Sequence, residues 1–258
     1  MPKRGKTTFS FDEALNKFPG KPAASVRSAL ARLSKAGRIH SVWKGFYAIS
    51  LPEYGLEGIA PPMDYIDQLM RHLESGYYVA LLTAASYTGA AHHAPQVFHT
   101  ICNRILHAKS KNGVRLEPVY KKRLPDKYIT EMNSRTATIK ISSPELTAID
   151  LIIYTKRAGG INQVATVLSE LAESIDFGRV GTDFFAGIPA AAVQRLGYLF
   201  DEILEEKTIA NSLYEKSKQA NVVFSNAPLV IGKDRSCLAV GVNTRWGIMV
   251  NYEVESDL

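Results

Sequence analysis

Apolar positions recur at two periods along this chain, and the switches between them predict its elements. Ser10 and Glu13 stand at capping-box spacing, and Phe11, Leu15 and Phe18 follow at helical intervals until Pro19-Gly20 ends the run. Pro22 suits the first turn of a second, longer helix, because proline lacks only an amide that is unpaired there anyway. In it Ala23, Val26, Leu30 and Leu33 form one apolar stripe, while Ser25, Ser28, Arg32 and Lys35 hold the opposite face with Arg27 beside them. Gly37 fits a helix C-terminal cap. The period then drops to two: residues 38–42, the turn Trp43-Lys44-Gly45 and residues 46–49 read as a β-hairpin. Helix, turn, helix and hairpin make a winged helix-turn-helix over residues 1–50, although residues 1–9 are too few for the usual leading helix.

Leu51 to Pro62, interrupted by Pro52, Gly55, Gly58 and Pro61-Pro62, reads as a linker (residues 51–62). Residues 63–258 then form a larger domain. Tyr65, Ile66, Leu69 and Leu73 predict an amphipathic helix, and the alanine-rich run from Tyr77 to about Tyr87 a second, buried one ending near Gly89. Val97 to Leu106, Val114 to Tyr120, Lys127 to Met132 and Ala137 to Ile141 alternate or cluster β-formers between turns, which predicts a mostly antiparallel sheet. Helices return at Ser142, where Ser142 and Glu145 repeat the capping-box spacing around Pro144; they continue over Ile161–Ile175 and from Pro189 through Leu204. Trp246 to Val254 reads as strand. The expected class is α+β: an N-terminal winged helix-turn-helix, then a mixed domain with an antiparallel sheet and several helices.

Charge sharpens this division. In the first fifty residues ten lysines and arginines face only Asp12 and Glu13, so the chain's net charge of +6 is an N-terminal property beside a slightly acidic body. Such asymmetry predicts a polyanion-binding module attached to something else. In a winged module the second helix enters the major groove, which makes Lys21, Ser25, Arg27, Ser28, Arg32 and Lys35 the candidate DNA contacts, with Lys44 at the hairpin tip meeting phosphate. The plainer alternative is a solvated cationic helix face. A second basic stretch runs from Arg104 to Lys127. Its Lys121, Lys122 and Arg123 are either a second phosphate contact or a binding face for another anionic surface, or an edge whose lysines discourage sheet-to-sheet pairing.

Hydrophobic residues at 46% supply a core, and the longest apolar stretch, Tyr77 to Ala85, is too short to span a bilayer. Basic N-terminal residues without an apolar segment after them do not form a secretory signal, and Cys102 and Cys237 are far apart. The expectation is a cytoplasmic protein without membrane contact. Chemistry is sparse. His92-His93 lack a neighbouring carboxylate or cysteine at metal spacing, and His99 and His107 join them only if the fold gathers all four. A metal-dependent nuclease is the enzymatic alternative, but the strand after Asp126 reads Thr138-Ile139-Lys140, and Glu145 and Asp150 fall on different sides of a helix. No catalytic residue, metal ligand or cofactor is expected.

The ordered segments resemble the AbiEi family of bacterial antitoxins, from type IV (abortive infection) toxin–antitoxin systems. The resemblance rests on Gly37-Arg38-Ile39, Gly45 to Ile49, Tyr78 to Ala85, Gly89-Ala90-Ala91-His92-His93 and Pro95-Gln96-Val97. It continues through Ser143 to Leu151, Gly159-Gly160, Arg195 to Leu199, and Trp246 with Asn251, Glu253 and Glu255. It implies an N-terminal DNA-binding domain that represses its own operon at an inverted repeat in its promoter, and a C-terminal domain that provides antitoxicity. The implied functional partner is a toxin of nucleotidyltransferase fold, with direct contact left open. Besides a nuclease targeted by a winged helix, the remaining alternative is a winged helix that binds protein.

Overall fold

A strand, Thr8–Ser10 (β1), is the first element of the described residues. The computed structural model describes residues 7–54, 58–88, 96–111, 113–232 and 241–255. Ser10 closes the expected capping box, its Oγ accepting from the Glu13 amide at 3.1 Å while its own amide donates to Glu13 Oε2 at 2.8 Å. Helices Phe11–Lys17 (α1) and Ala23–Lys35 (α2) follow, then strands Ile39–Trp43 (β2) and Phe46–Ile49 (β3). β3 lies between β1 and β2, antiparallel to both. Val26, Leu30 and Ile39 are buried here, with Phe9, Phe11, Ala14, Leu15 and Tyr47 packed around them. Both apolar stripes fade at their ends: Phe18 is 59% exposed and Leu33 43% exposed. Gly37 takes positive φ after α2, as its capping position requires.

These elements belong to one of two compact units, which also holds the described residues up to Val79, Gln96–Leu124 and Thr130–Ile141. Short 3-10 turns at Pro52–Tyr54 and Pro62–Asp64 lead into helix Ile66–His72 (α3). They are held in place by Arg135, whose guanidinium pairs with Glu53 at 2.9 Å and Asp64 at 3.5 Å and lies over the Tyr54 ring. Ala60 and Met63 are buried.

The unit's main sheet contains Tyr77–Val79 (β4), Val97–Cys102 (β5), Lys109–Lys111 (β6), Val114–Tyr120 (β7), Ile129–Asn133 (β8) and Thr138–Ser142 (β9). Their order is β6-β7-β5-β4-β9-β8. Two expectations are corrected. The sheet is mixed, since β5 runs parallel to β7 over six residue pairs and β4 parallel to β9. The run from Tyr77 opens as a fully buried strand, not a helix. A short apolar run reads alike as buried strand or buried helix, and only strand neighbours decide it.

The second unit takes in described residues among 80–95, Pro125–Ile129 and Ser142 onward. Helix Leu81–Tyr87 (α4) begins it. Pro144–Ile153 (α5) is buried from Leu146 through Ile152, which is what an apolar helix with neighbours on several sides requires; it touches α4, Ile161–Leu171 (α6) and Ala190–Tyr198 (α7). Its N-cap is Ser143, one residue later than expected. Ser143 Oγ accepts from the Leu146 amide, Ser142 pairs with the Thr147 hydroxyl at 2.7 Å, and Glu145 accepts from the Asp176 amide. α6 is shorter than the expected run to Ile175, giving way at Ala172 to a 3-10 turn. α7 continues as one π-helical turn, Leu199–Ile203, before helix Lys207–Gln219 (α8), which the periodicity did not disclose. Strands Ala227–Pro228 (β10), Gly241–Asn243 (β11) and Ile248–Val250 (β12) close the unit in the order β10-β12-β11.

Candidate functional site

Burial of Val26 and Leu30 fixes the rotation of α2 and turns its other face outward. Ser25, Arg27, Ser28, Arg32 and Lys35 are all exposed on α2, as are Lys21 before it and Lys44 at the hairpin tip. No acidic residue occurs anywhere in α2. Among the described residues neither Arg32, Lys35 nor Lys44 forms an ion pair, so their charges face solvent. Arg27 differs from them: its guanidinium carbon sits 5.0 Å from the centroid of the Phe11 ring, which holds this cation against α1. The result is a helix with hydroxyls and unneutralised cations along one exposed face, followed by a two-stranded hairpin with a lysine at its tip. Unpaired cations beside small hydroxyl residues are the features that a polyanion-binding surface requires.

The second basic stretch divides. Lys121, Lys122 and Arg123 follow β7 in the connection beyond the sheet, with Lys122 and Arg123 exposed and Lys121 half-buried. Lys109 and Lys111 lie on β6, and the Lys109 ammonium stands 4.7 Å from the Trp43 ring centroid of the hairpin. Sequence reasoning did not separate these two groups, because their alternate facing depends on the register of β6 against β7.

Among the described residues the tempting chemical residues do not converge. His92 and His93 lie outside the described residues, as does Cys237. His99 is buried in β5, and His107 is exposed on the connection to β6. Among the described residues no group of three or more His, Cys, Asp or Glu is placed to hold a metal ion. Asp150 is fully buried on α5, while Glu145 is engaged with the Asp176 amide. They do not share a site.

A buried polar knot that sequence reasoning missed organises the second unit. Asp201, on the π-helical turn, is 2% exposed. Its Oδ2 accepts from Trp246 Nε1 at 2.8 Å and from Arg245 at 2.9 Å, and its Oδ1 accepts from Lys207 Nζ at 2.9 Å. Burial works against ionisation of this carboxyl, but the Trp246 and Lys207 hydrogen bonds and the Arg245 charge outweigh it. They hold the pKa below the ordinary aspartate value. Gln194, fully buried on α7, donates through Nε2 to the carbonyls of Ser225 and Trp246, both at 2.6 Å. Trp246 itself is fully buried, edge-on to Tyr214. Signals for this knot were present only as separate pieces: a glycine inside a helix, an aspartate in an apolar run and a late tryptophan.

The comparisons with known proteins bear on the same region. A family model described as the AbiEi antitoxin C-terminal domain matches residues 78–202. The fold as a whole is similar to the crystal structure of the RV2827C protein from Mycobacterium tuberculosis. The TM-score is 0.64, with 14% identity over 94% of this chain and 86% of that one. At that identity the likeness is one of fold. No curated protein sequence matches the chain. Among the described residues no helix is long and apolar enough to cross a membrane. The family match runs from β4, in the middle of the six-stranded sheet, to the π-helical turn that carries Asp201, and it makes residues 78–202 similar to the C-terminal domain of the AbiEi antitoxins, which supports the role of antitoxin in a toxin–antitoxin system.

Proposed function

We propose that this protein is the antitoxin of a toxin–antitoxin system and a DNA-binding repressor of its own operon, reading an inverted repeat in its promoter through a winged helix-turn-helix within residues 1–50. The observation that carries the reading is the exposed face of α2, where Ser25, Ser28, Arg32 and Lys35 stand opposite buried Val26 and Leu30 with no acidic residue on the helix. In this reading α2 lies in the major groove, Arg32 and Lys35 reach base edges or phosphates, Lys21 and Arg27 steady the flanks, and Lys44 on the hairpin meets backbone phosphate. Residues 51–62 connect this module to an antitoxic domain over residues 63–258, which acts against a toxin of nucleotidyltransferase fold in the cytoplasm without itself catalysing a reaction.

The test is a binding titration of the full-length protein on duplexes from its own promoter at several salt concentrations. A steep loss of affinity with salt is expected, because each neutralised phosphate releases counterions. Tight binding to the inverted repeat and weak binding to either half-site are expected as well. Equal affinity for a scrambled duplex at physiological salt rules out the repressor.

A further inference from the structure

The β2–β3 hairpin has a second, basic hairpin beside it in the same compact unit. β6 and β7 pair antiparallel, with Lys109 opposite Leu116, Ser110 opposite Arg115 and Lys111 opposite Val114. From Ile105 through Leu116 the sequence holds no acidic residue, while His107, Lys109, Lys111 and Arg115 all fall within that stretch. Residues at i and i+2 of a strand share a face, so Lys109 and Lys111 stand on one side of β6. It is the side turned toward the winged hairpin. With Val114 and Leu116 they border a narrow gap whose far wall is His40, Val42 and Ala48.

Two features set these lysines apart from an ordinary solvated edge. The first is position: the Lys109 ammonium stands 4.7 Å from the centroid of the Trp43 ring, and Trp43 directly precedes Lys44 at the tip of the winged hairpin. An aromatic face holds a cation in place but leaves its full charge. The second is the lack of compensation. Lys109 is half-buried and Lys111 exposed, and among the described residues neither has a carboxylate partner. Burial and the neighbouring Lys111 charge push the Lys109 ammonium below its ordinary pKa. An external anion relieves such a pair. Arg115, by contrast, is engaged with Glu117 at 3.1 Å. Lysines on an edge strand also discourage sheet pairing, but that purpose requires no fixed seat beside the hairpin tip.

We infer that β6 is a second DNA-contacting edge, on which Lys109 and Lys111 neutralise backbone phosphates next to the one met by Lys44. The footprint of the winged module then extends past residue 50 into the six-stranded sheet. Charges at i and i+2 of a strand are about 7 Å apart, and the phosphates of one DNA strand advance about 3.4 Å each along the axis, so each ammonium takes a separate phosphate. Such contacts add affinity and fix orientation without choosing a sequence. The inference rests on the DNA-binding reading of α2: a lysine pair by itself selects no polyanion, and it is the place beside the hairpin tip that assigns this pair to the duplex held there.

The experiment follows the fluorescence anisotropy of labelled promoter and scrambled duplexes titrated with the full-length protein at several salt concentrations. For Lys109→Ala/Lys111→Ala, affinity near 0.1 M salt should fall roughly tenfold or more on both duplexes alike, and the slope of log affinity against log salt should flatten by about 2. Lys109→Arg/Lys111→Arg, which keeps both charges, should retain affinity and slope. Thermal melts show whether each variant is folded; if the double alanine variant is not, Lys111→Ala alone, at an exposed position, carries the same test with a slope change of about 1. Arg32→Ala/Lys35→Ala tests the underlying reading in parallel. Weakened binding by that α2 variant, beside unchanged affinity and slope in folded Lys109→Ala/Lys111→Ala, overturns this inference and spares the DNA-binding reading. An arginine variant that is folded yet binds as poorly as the alanine variant also overturns it, because charge is then not what the contact uses. Absence of salt-dependent binding by the unaltered protein overturns both.

Discussion

Gly197 sits one residue before α7 runs on into the π-helical turn, a helical interior where glycine costs about 1 kcal/mol relative to alanine. Its backbone gives no reason for the choice, but its neighbour does: a Cβ built there meets Trp246 Cζ3 at 2.1 Å. The helix gives up intrinsic stability so that the indole can lie against its backbone and deliver Nε1 to Asp201. Gly197→Ala should therefore destabilise the protein by about 1–3 kcal/mol through overpacking, against the small gain expected of a solvent-facing glycine; a lowered urea midpoint checks this. Asp201 makes a second test. Asp201→Asn puts an amide nitrogen where Lys207 or Arg245 needs an acceptor, at a cost of about 1–3 kcal/mol near neutral pH. The folded-state pKa of Asp201 is depressed, so its contribution is complete above the unfolded value of about 3.9 and is lost as pH falls toward the folded value. The gap between Asp201→Asn and the unaltered protein should thus narrow in urea titrations carried below about pH 4. A gap that stays constant there would mean that the carboxylate charge plays no part. None of this was legible beforehand, because the glycine and the tryptophan that explains it are separated by all of α8 in the chain.

At the scale of elements, legibility followed how local the determining signal is. The α1 capping box, the cationic face of α2 and the hairpin turn at Gly45 were each readable, because partners three or four residues apart settle them. The strand Tyr77–Val79 and the parallel pairing of β5 with β7 were not, because both depend on distant segments. The capping position of α5 slipped by one residue for a related reason: Ser142 and Ser143 both suit an N-cap, and the buried Ser142–Thr147 pair decides between them. The rotation of α2 offers a sharp test at this scale. Leu30 is buried beside Val26 and Ile39, so Leu30→Ala should lower stability by about 2–5 kcal/mol. Arg32→Ala and Lys35→Ala should leave the thermal midpoint within about 0.5 kcal/mol of unaltered stability while weakening binding to the promoter duplex. If Arg32→Ala collapses the midpoint and Leu30→Ala spares it, the face assigned to DNA is the wrong one.

For the whole molecule, the question is whether DNA reading and antitoxicity separate. A truncation that removes the first fifty residues is a poor instrument. Trp43 shares an apolar pocket with Ile66, Leu69, Met70 and Leu116, and Phe46 lies 5.3 Å from the His72 ring, so the cut uncovers core of the same unit. Exposed side chains provide a cleaner separation, since Arg32, Lys35 and Lys44 engage no charged partner among the described residues. A full-length Arg32→Ala/Lys35→Ala/Lys44→Ala variant should lose repression of a promoter reporter and keep full growth rescue in cells making the toxin from an independent promoter. Lys121→Ala/Lys122→Ala/Arg123→Ala should do the reverse if that strip is the antitoxic surface, and change neither readout if it only discourages strand pairing. Immunoblotting for equal protein levels removes the trivial explanation that a variant is degraded. The informative failure is the first variant losing rescue in step with repression while remaining folded and abundant. Protection would then run through the same cationic face as DNA binding, and the second unit, despite holding most of the family match, would not suffice for antitoxicity.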